Sequence, residues 1–220
     1  MPLLFVHGIG GAGHNWLYLM ERLDRQRFQP WVVQYPSGMR LGLISTALHQ
    51  AINEMKAQYP FTQLAVVAHS MGGLVARGFV NLHQASSRKT FNITTFLTLS
   101  TPWDGHKAAS QGVDHAPVAI PSWFDMVPGS PYLEELFRSP LPQHTNYYLL
   151  FSHKGPGAGF LGLDNSDGTV SIASQLPMRA QQVATRIWGF DESHVSILRS
   201  HQVSKKVNQI LKSDTDKKAN

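Results

Sequence analysis

Six residues, Ala68-His69-Ser70-Met71-Gly72-Gly73, constrain this 220-residue chain more than any other stretch. The apolar, β-branched run Leu64-Ala65-Val66-Val67 leads into them, and the helix-like run Leu74-Val75-Ala76-Arg77-Gly78-Phe79-Val80 follows. A serine between strand and helix, with small residues two before and two after it, fits a turn sharp enough to strain the serine backbone and lift its hydroxyl above the sheet. Bulkier side chains at the flanking positions would collide. The first turn of the following helix then offers unbonded amides to an anion. The pattern departs from G-x-S-x-G only in Ala68. Over so short a span, an ordinary strand–turn–helix with a surface serine reads the same way, so the rest of the chain must decide.

Apolar runs alternate with helix-period segments, which predicts an α/β fold with a mostly parallel sheet and helices on both faces. Strands are expected at 3–6, 31–35, 63–68, 93–99, 147–151 and 184–190, and helices at 15–23, 43–58, 71–83 and 195–211, with a charged, frayed tail from 213 to 220. The segment 101–144 breaks the rhythm. It holds seven of the 13 prolines and the apolar stretches Val118-Ala119-Ile120-Pro121-Ser122-Trp123-Phe124 and Met126-Val127-Pro128. A stretch this long between two strands reads as an inserted cap or lid. Tyr132-Leu133-Glu134-Glu135-Leu136-Phe137 suits a short amphipathic helix with Leu133, Leu136 and Phe137 on one face. The plainer alternative is that the insert only packs against the domain. With no repeat or linker, residues 1–220 read as a single domain.

Composition removes several classes of function. The chain has no cysteine, which excludes disulfides, thiolate metal sites and a cysteine nucleophile. The formal net charge of +5 gathers partly in Lys205, Lys206, Lys212, Lys217 and Lys218. With no arginine-rich stripe interleaved with aromatics, no nucleic-acid partner is expected, whereas weak association with a membrane or lipid surface fits the charge. No apolar run approaches the ~20 residues of a membrane span. Met1-Pro2-Leu3-Leu4-Phe5-Val6 has neither a basic leader nor a cleavage site and reads as a first strand, so the default expectation is a cytoplasmic protein. No metal-ligand spacing stands out, and nothing in the pattern specifies an oligomeric state.

A serine nucleophile needs a base oriented by an acid, in the chain order serine, acid, histidine when the turn is of this kind. Asn165-Ser166-Asp167-Gly168-Thr169-Val170 is a turn-forming stretch that can present the Asp167 carboxylate at the top of the sheet. Asp191-Glu192-Ser193-His194 follows the last expected strand, which places His194 where it can reach Ser70. Asp164 and Asp125 compete as the acid. Asp191 and Glu192 suit helix caps, and His153 and His201 are the alternative bases. His7 and His69 flank the site as pocket-lining or structural groups. The loop His7-Gly8-Ile9-Gly10-Gly11 can turn the Ile9 amide inward, and the Met71 amide supplies a second donor for an oxyanion. A competing reading of Gly8-Ile9-Gly10-Gly11-Ala12-Gly13 is the dinucleotide fingerprint G-x-G-x-x-G, but the next strand ends Val33-Gln34-Tyr35-Pro36 without the carboxylate that fingerprint needs.

Taken together, these segments resemble the α/β-hydrolase superfamily, and within it the small bacterial lipases and esterases. Phe5 to Gly11 is similar to their oxyanion strand and loop, and Ala68 to Gly73 to their nucleophile turn, including the Ala-for-Gly variant of compact lipases. Ser100-Thr101-Pro102-Trp103-Asp104-Gly105 is similar to their S/T-P-x-x-G stretch, Asp167-Gly168-Thr169-Val170 to their acid turn, and Ser193-His194 to their terminal base. The pieces span nearly the whole chain in family order. The resemblance implies hydrolysis of an acyl-ester or lipid substrate with no cofactor. The family's usual first two strands are missing from this chain. Apart from the resemblance, the apolar insert, read as a lid, is expected to have Trp123 and Phe124 contact the acyl chain or gate its entry. Thioester, phospholipid or amide substrates on the same residues are alternatives, as is a binding protein of the same fold without activity.

Overall fold

The computed structural model describes residues 1–87, 89–155 and 165–216. Six parallel strands form one sheet in the order β2-β1-β3-β4-β5-β6, where β1 is Pro2–Val6, β2 Gln29–Val33, β3 Gln63–His69, β4 Asn92–Leu99, β5 Asn146–Ser152 and β6 Arg186–Phe190. The central strands β3 and β4 are buried along nearly their whole length, so they read as continuous apolar runs. Their side chains alternate between two cores. Leu64, Val66 and Ala68 pack with helices α2 (Leu41–Gln58) and α3 (Met71–Ala85), whereas Ala65 and Val67 pack with α1 (Leu17–Glu21) and α9 (His201–Asp216). Helices therefore cover both faces, as the alternating pattern predicts.

The chain runs from β1 outward to β2 and returns on the other side of β1 as β3. The strand order thus reverses between β1 and β3, and the crevice this opens at the carboxyl ends of strands is where open α/β sheets place ligands. The glycine loop leaves β1 at this point, and Ser70 leaves β3 beside it.

Several expected boundaries move, some for tertiary reasons. Strand β2 starts at Gln29 rather than 31 because its register is set by β1, with Pro2 opposite Gln29 and Val6 opposite Val33. The last helix is broken: a 3₁₀ turn at Ser196–Arg199 and an extended Ser200 precede α9. The frayed tail expected from 213 is also corrected. Helix α9 continues to Asp216 because Asp214 is buried and its carboxylate accepts bonds from Thr95 Oγ1 (2.7 Å), Asn146 Nδ2 (2.9 Å) and Tyr148 OH (2.6 Å). Residues 217–220 of that expectation lie outside the described residues.

The insert folds into α4 (Lys107–His115), α5 (Pro121–Met126) and α6 (Pro131–Arg138), and the short helices α7 (Ile172–Gln175) and α8 (Met178–Gln182) lie between β5 and β6. Ser130 caps α6, and Leu133 and Leu136 are buried with Phe137 packed beside them, the apolar face read from the sequence. Arg77 of α3 donates to the carbonyls of Leu136 and Ser139 at the end of α6. Asp125 of α5 accepts the Leu41 amide at 2.6 Å and pairs with Arg40 at 2.8 Å, so it caps α2. Two of the three insert helices are therefore fastened to the core. Among the described residues, no helix is long and apolar enough to cross a membrane.

Candidate active site

The turn at Ser70 is as sharp as the sequence demands. Ser70 has φ 55° and ψ −133°, a region that non-glycine residues rarely occupy. Close packing explains its neighbours. A Cβ on Gly72 would lie 2.3 Å from the His7 carbonyl oxygen and 2.4 Å from that of Val6, and one on Gly8 would lie 2.9 Å from the Ser70 Cβ. Glycine at these two positions lets the oxyanion loop, the serine and the helix start meet.

The loop after β6 brings His194 to this turn. His194 Nε2 lies 2.9 Å from Ser70 Oγ, and its Nδ1 lies 2.8 Å from Asp167 Oδ2. An ionised carboxylate can only accept, so Nδ1 carries the proton and Nε2 is left to accept from the serine. The Asp167 carboxylate is fully buried. Its Oδ1 accepts the amides of Thr169 (3.0 Å) and Val170 (2.7 Å), an Asx-type turn in which Gly168 takes φ 94°. Burial works to raise the Asp167 pKa, but the bond and charge of His194, the Val170 amide and the Ser152 hydroxyl outweigh it and hold the carboxyl below its ordinary range.

His194 is held at further points. Its amide donates to the Asp167 carbonyl at 2.9 Å, and its own carbonyl accepts from His69 Nε2 at 2.8 Å. Burial lowers the His69 pKa to about 3, so this ring stays neutral and keeps the one proton it donates. His7 stacks on Tyr35 at 4.1 Å and donates through Nδ1 to the Gly8 carbonyl, while the Tyr35 hydroxyl donates to the His7 carbonyl. These contacts fix the start of the glycine loop. The loop then turns through Gly11 N to Gly8 O, with Gly10 at φ 63° donating to Ser37 Oγ. Among the described residues, neither the Ile9 nor the Met71 amide has a hydrogen-bond partner. Gln34, the residue after β2, meets the loop through its carboxamide at Gly13 N.

The rival residues lie elsewhere. Asp125 serves α2. Glu192 accepts from Ser196 Oγ, and Asp191 faces Lys154 at the surface. His153 and His201 are exposed. Asp164 lies outside the described residues. Ser152 and Gln175 went unread in the sequence, although both touch Asp167. A polar residue ending the apolar run Tyr147-Tyr148-Leu149-Leu150-Phe151 was the only available signal for Ser152, and Gln175 carries none.

A cavity of about 500 Å³ opens over Ser70 and His194. The glycine loop with Trp16 forms one wall, and the insert forms another with Pro102, Ala108, Ala109, Trp123 and Met126. Of the two residues expected to meet an acyl chain, the structure brings only Trp123 to the cavity. Phe124 is corrected: successive helical side chains diverge by about 100°, and Phe124 is 43% exposed beside the Arg40 guanidinium. His106 joins the insert wall to the acid turn. It caps α4 through Nδ1 and donates through Nε2 to the Thr169 carbonyl at 2.7 Å. Among the described residues, no group of three or more histidine, aspartate or glutamate side chains is placed to hold a metal ion.

A sharp serine turn at the reversal point of a parallel sheet, with an acid and a histidine from later loops, defines the α/β-hydrolase fold. Within it, the chain belongs to the family described as "Putative serine esterase (DUF676)", whose model matches residues 3–130. No curated protein matches the sequence. Among solved structures, the chain is similar to the mature form of the lipase BlEst2 of Bacillus licheniformis, with 16% identity, 96% of this chain and 91% of that one covered, and a TM-score of 0.70. It is similar to a gene product of Listeria innocua, with 14% identity, 96% and 93% covered, and a TM-score of 0.69. It is also similar to the phospholipase PlaB of Legionella pneumophila, with 19% identity and a TM-score of 0.65, over 80% of this chain but only 44% of that protein.

Proposed function

We propose that this serine-esterase family member hydrolyses carboxylic esters of lipase or esterase type through an acyl-enzyme on Ser70. The observation that carries the reading is the unbroken line from Ser70 Oγ through the His194 ring to Asp167 Oδ2, at 2.9 and 2.8 Å. Ser70 Oγ bonds to the ester carbonyl carbon as its proton passes to His194 Nε2. The tetrahedral oxyanion is met by the Ile9 and Met71 amides, each donor being worth ~10²–10³ in rate. The bond to the alkoxy oxygen then breaks, and His194 returns its proton to the departing alcohol. A water molecule, deprotonated by the same histidine, releases the acid and restores Ser70. Asp167 holds the ring in the required tautomer and stabilises the imidazolium.

The apolar insert wall supports an acyl substrate, with Trp123 along the chain. Ile9 and Val195, which line the cavity, are also 46% and 57% exposed at its mouth. That apolar rim, with the net positive charge, supports weak association with a lipid surface. The test is a panel of acyl esters of graded chain length, with phospholipid and thioester arms, combined with fluorophosphonate labelling. The wild type should label and turn over simple esters, while Ser70→Ala should do neither. A folded Ser70→Ala protein with normal turnover would sink the proposal, and a dominant phospholipid or thioester arm would change the substrate.

A further inference from the structure

Behind Asp167 lies a buried hydroxyl chain that the reaction itself does not touch. Ser152, the last residue of β5, places its Oγ 2.7 Å from Asp167 Oδ2 and 2.6 Å from Ser100 Oγ. The carboxylate only accepts, so Ser152 donates to it and must accept from Ser100. Gln175, at the end of α7 (Ile172–Gln175), braces the same place. Its Nε2 lies 3.2 Å from Asp167 Oδ2 and 3.1 Å from the Ser152 carbonyl, while its Oε1 accepts the Ser152 amide at 3.1 Å. Ser100, Ser152, Asp167 and Gln175 have no solvent exposure at all.

Ser100 repeats the conformation of Ser70. Its φ is 51°, and these two serines are the non-glycine residues with positive φ among the described residues. Each ends a central strand, and each donates its amide to the neighbouring strand at 2.9 Å, Ser70 to Leu99 and Ser100 to Leu150. Strain of this kind persists only where the surroundings over-determine it and is concentrated at functional sites. Here it turns the Ser100 hydroxyl into the chain that ends on Asp167.

We propose that Ser152, supported by Gln175 and Ser100, is a positioning residue that holds the Asp167 carboxylate aimed at His194. This rests on the reading of Ser70, His194 and Asp167 as the catalytic residues. Without the Ser152 hydroxyl, Asp167 Oδ2 keeps its bond from His194 and the longer one from Gln175. The carboxylate becomes more basic, grips the imidazolium proton harder, and is freer to swing. Hydrogen bonds in a buried chain also polarise one another, so Ser100 acts on the acid through Ser152. The other titratable groups facing the pair are His69 and His106. Burial holds the first neutral down to about 3 and pushes the second below histidine's ordinary range.

The experiment assays Ser152→Ala, Ser100→Ala, their double variant and Gln175→Met on a soluble short-chain nitrophenyl ester across pH. Ser152→Ala should lower kcat about 10- to 100-fold, the effect of losing one hydrogen bond to a charged group, with KM nearly unchanged. The acidic limb of its kcat/KM profile should move upward by up to about one pH unit. Ser100→Ala should move both readouts the same way by less, and the double variant should match Ser152→Ala alone, because Ser100 acts only through Ser152. Ser152→Thr, which restores the hydroxyl, should recover the limb. Should Ser152→Ala fail to fold, Gln175→Met and Ser100→Ala carry the same readouts. Folded variants with a lower Tm but unchanged kcat and pH profile would overturn the proposal, as would additive effects in the double variant. Failure of wild-type Ser70 to label with a fluorophosphonate would instead overturn the catalytic reading beneath it.

Discussion

At the residue scale, the site depends on orientation more than on any unusual group. Asp167 accepts from His194, Ser152 and Gln175 on one oxygen and from two amides on the other, so the carboxylate has one position. Asp167→Asn keeps the shape but replaces an acceptor with a donor facing Nδ1, which favours the wrong imidazole tautomer. kcat should fall by roughly 10³- to 10⁴-fold with the fold intact, as read by steady-state kinetics beside a melting curve. Near-normal turnover in Asp167→Asn, with Asp164→Asn crippled, would reassign the acid. A neutral His194 is the proposed base, so kcat/KM should rise from acidic pH and level off while chemistry limits the rate. A flat profile would count against a histidine base.

Among the elements, the insert and α9 divide between function and support. Helices α5 and α6 are tied to α2 and α3 by Asp125, Arg77 and Tyr132, whereas α4 meets the acid turn through His106. Trp123 sits between the two roles, lining the cavity with its ring over Gly112, where a Cβ would come within 2.5 Å. Trp123→Ser should cut kcat/KM for long-chain esters about tenfold or more, and for acetate esters much less, since each methylene stripped of apolar contact loses about 0.8 kcal/mol. Equal loss across chain lengths with a lower Tm would make the residue structural. For α9, Asp214→Ala would strand the donors of Thr95, Asn146 and Tyr148. A loss of about 3 kcal/mol in denaturant unfolding is expected, with turnover per folded molecule preserved. A change under 1 kcal/mol would mean that α9 is held by its apolar face alone.

Across the whole molecule, desolvated histidines contribute to the response to acid. Burial lowers the pKa of His7, His69, His83 and His106. Each of these groups binds its proton more tightly in the unfolded chain. Stability is therefore intact above the unfolded pKa of about 6.5 and drains as pH falls toward each folded value. For His69, with a folded value of about 3, the loss amounts to roughly 2 to 3 kcal/mol two pH units below that unfolded value. His69→Gln, a neutral donor, should flatten the decline of unfolding free energy between neutral and mildly acidic pH by about that amount. An unchanged slope would show that His69 is charged or open to solvent in the folded protein.

The sequence alone determined the layered sheet, the sharp serine turn and the chain order of serine, acid and histidine. These follow from local rules: side-chain periodicity, the small residues a tight turn tolerates, and the carboxylate an Asp-Gly turn presents. Tertiary structure decided what depends on partners distant in the chain. Register with β1 set the start of β2, and three donors from β4 and β5 to the buried Asp214 carboxylate carried α9 past Ser213. Helix phase turned Phe124 away from the cavity and left Trp123 in it. Ser100, Ser152 and Gln175 met Asp167 only through packing, because hydrogen bonds across 8 to 52 residues leave no periodic trace in a sequence.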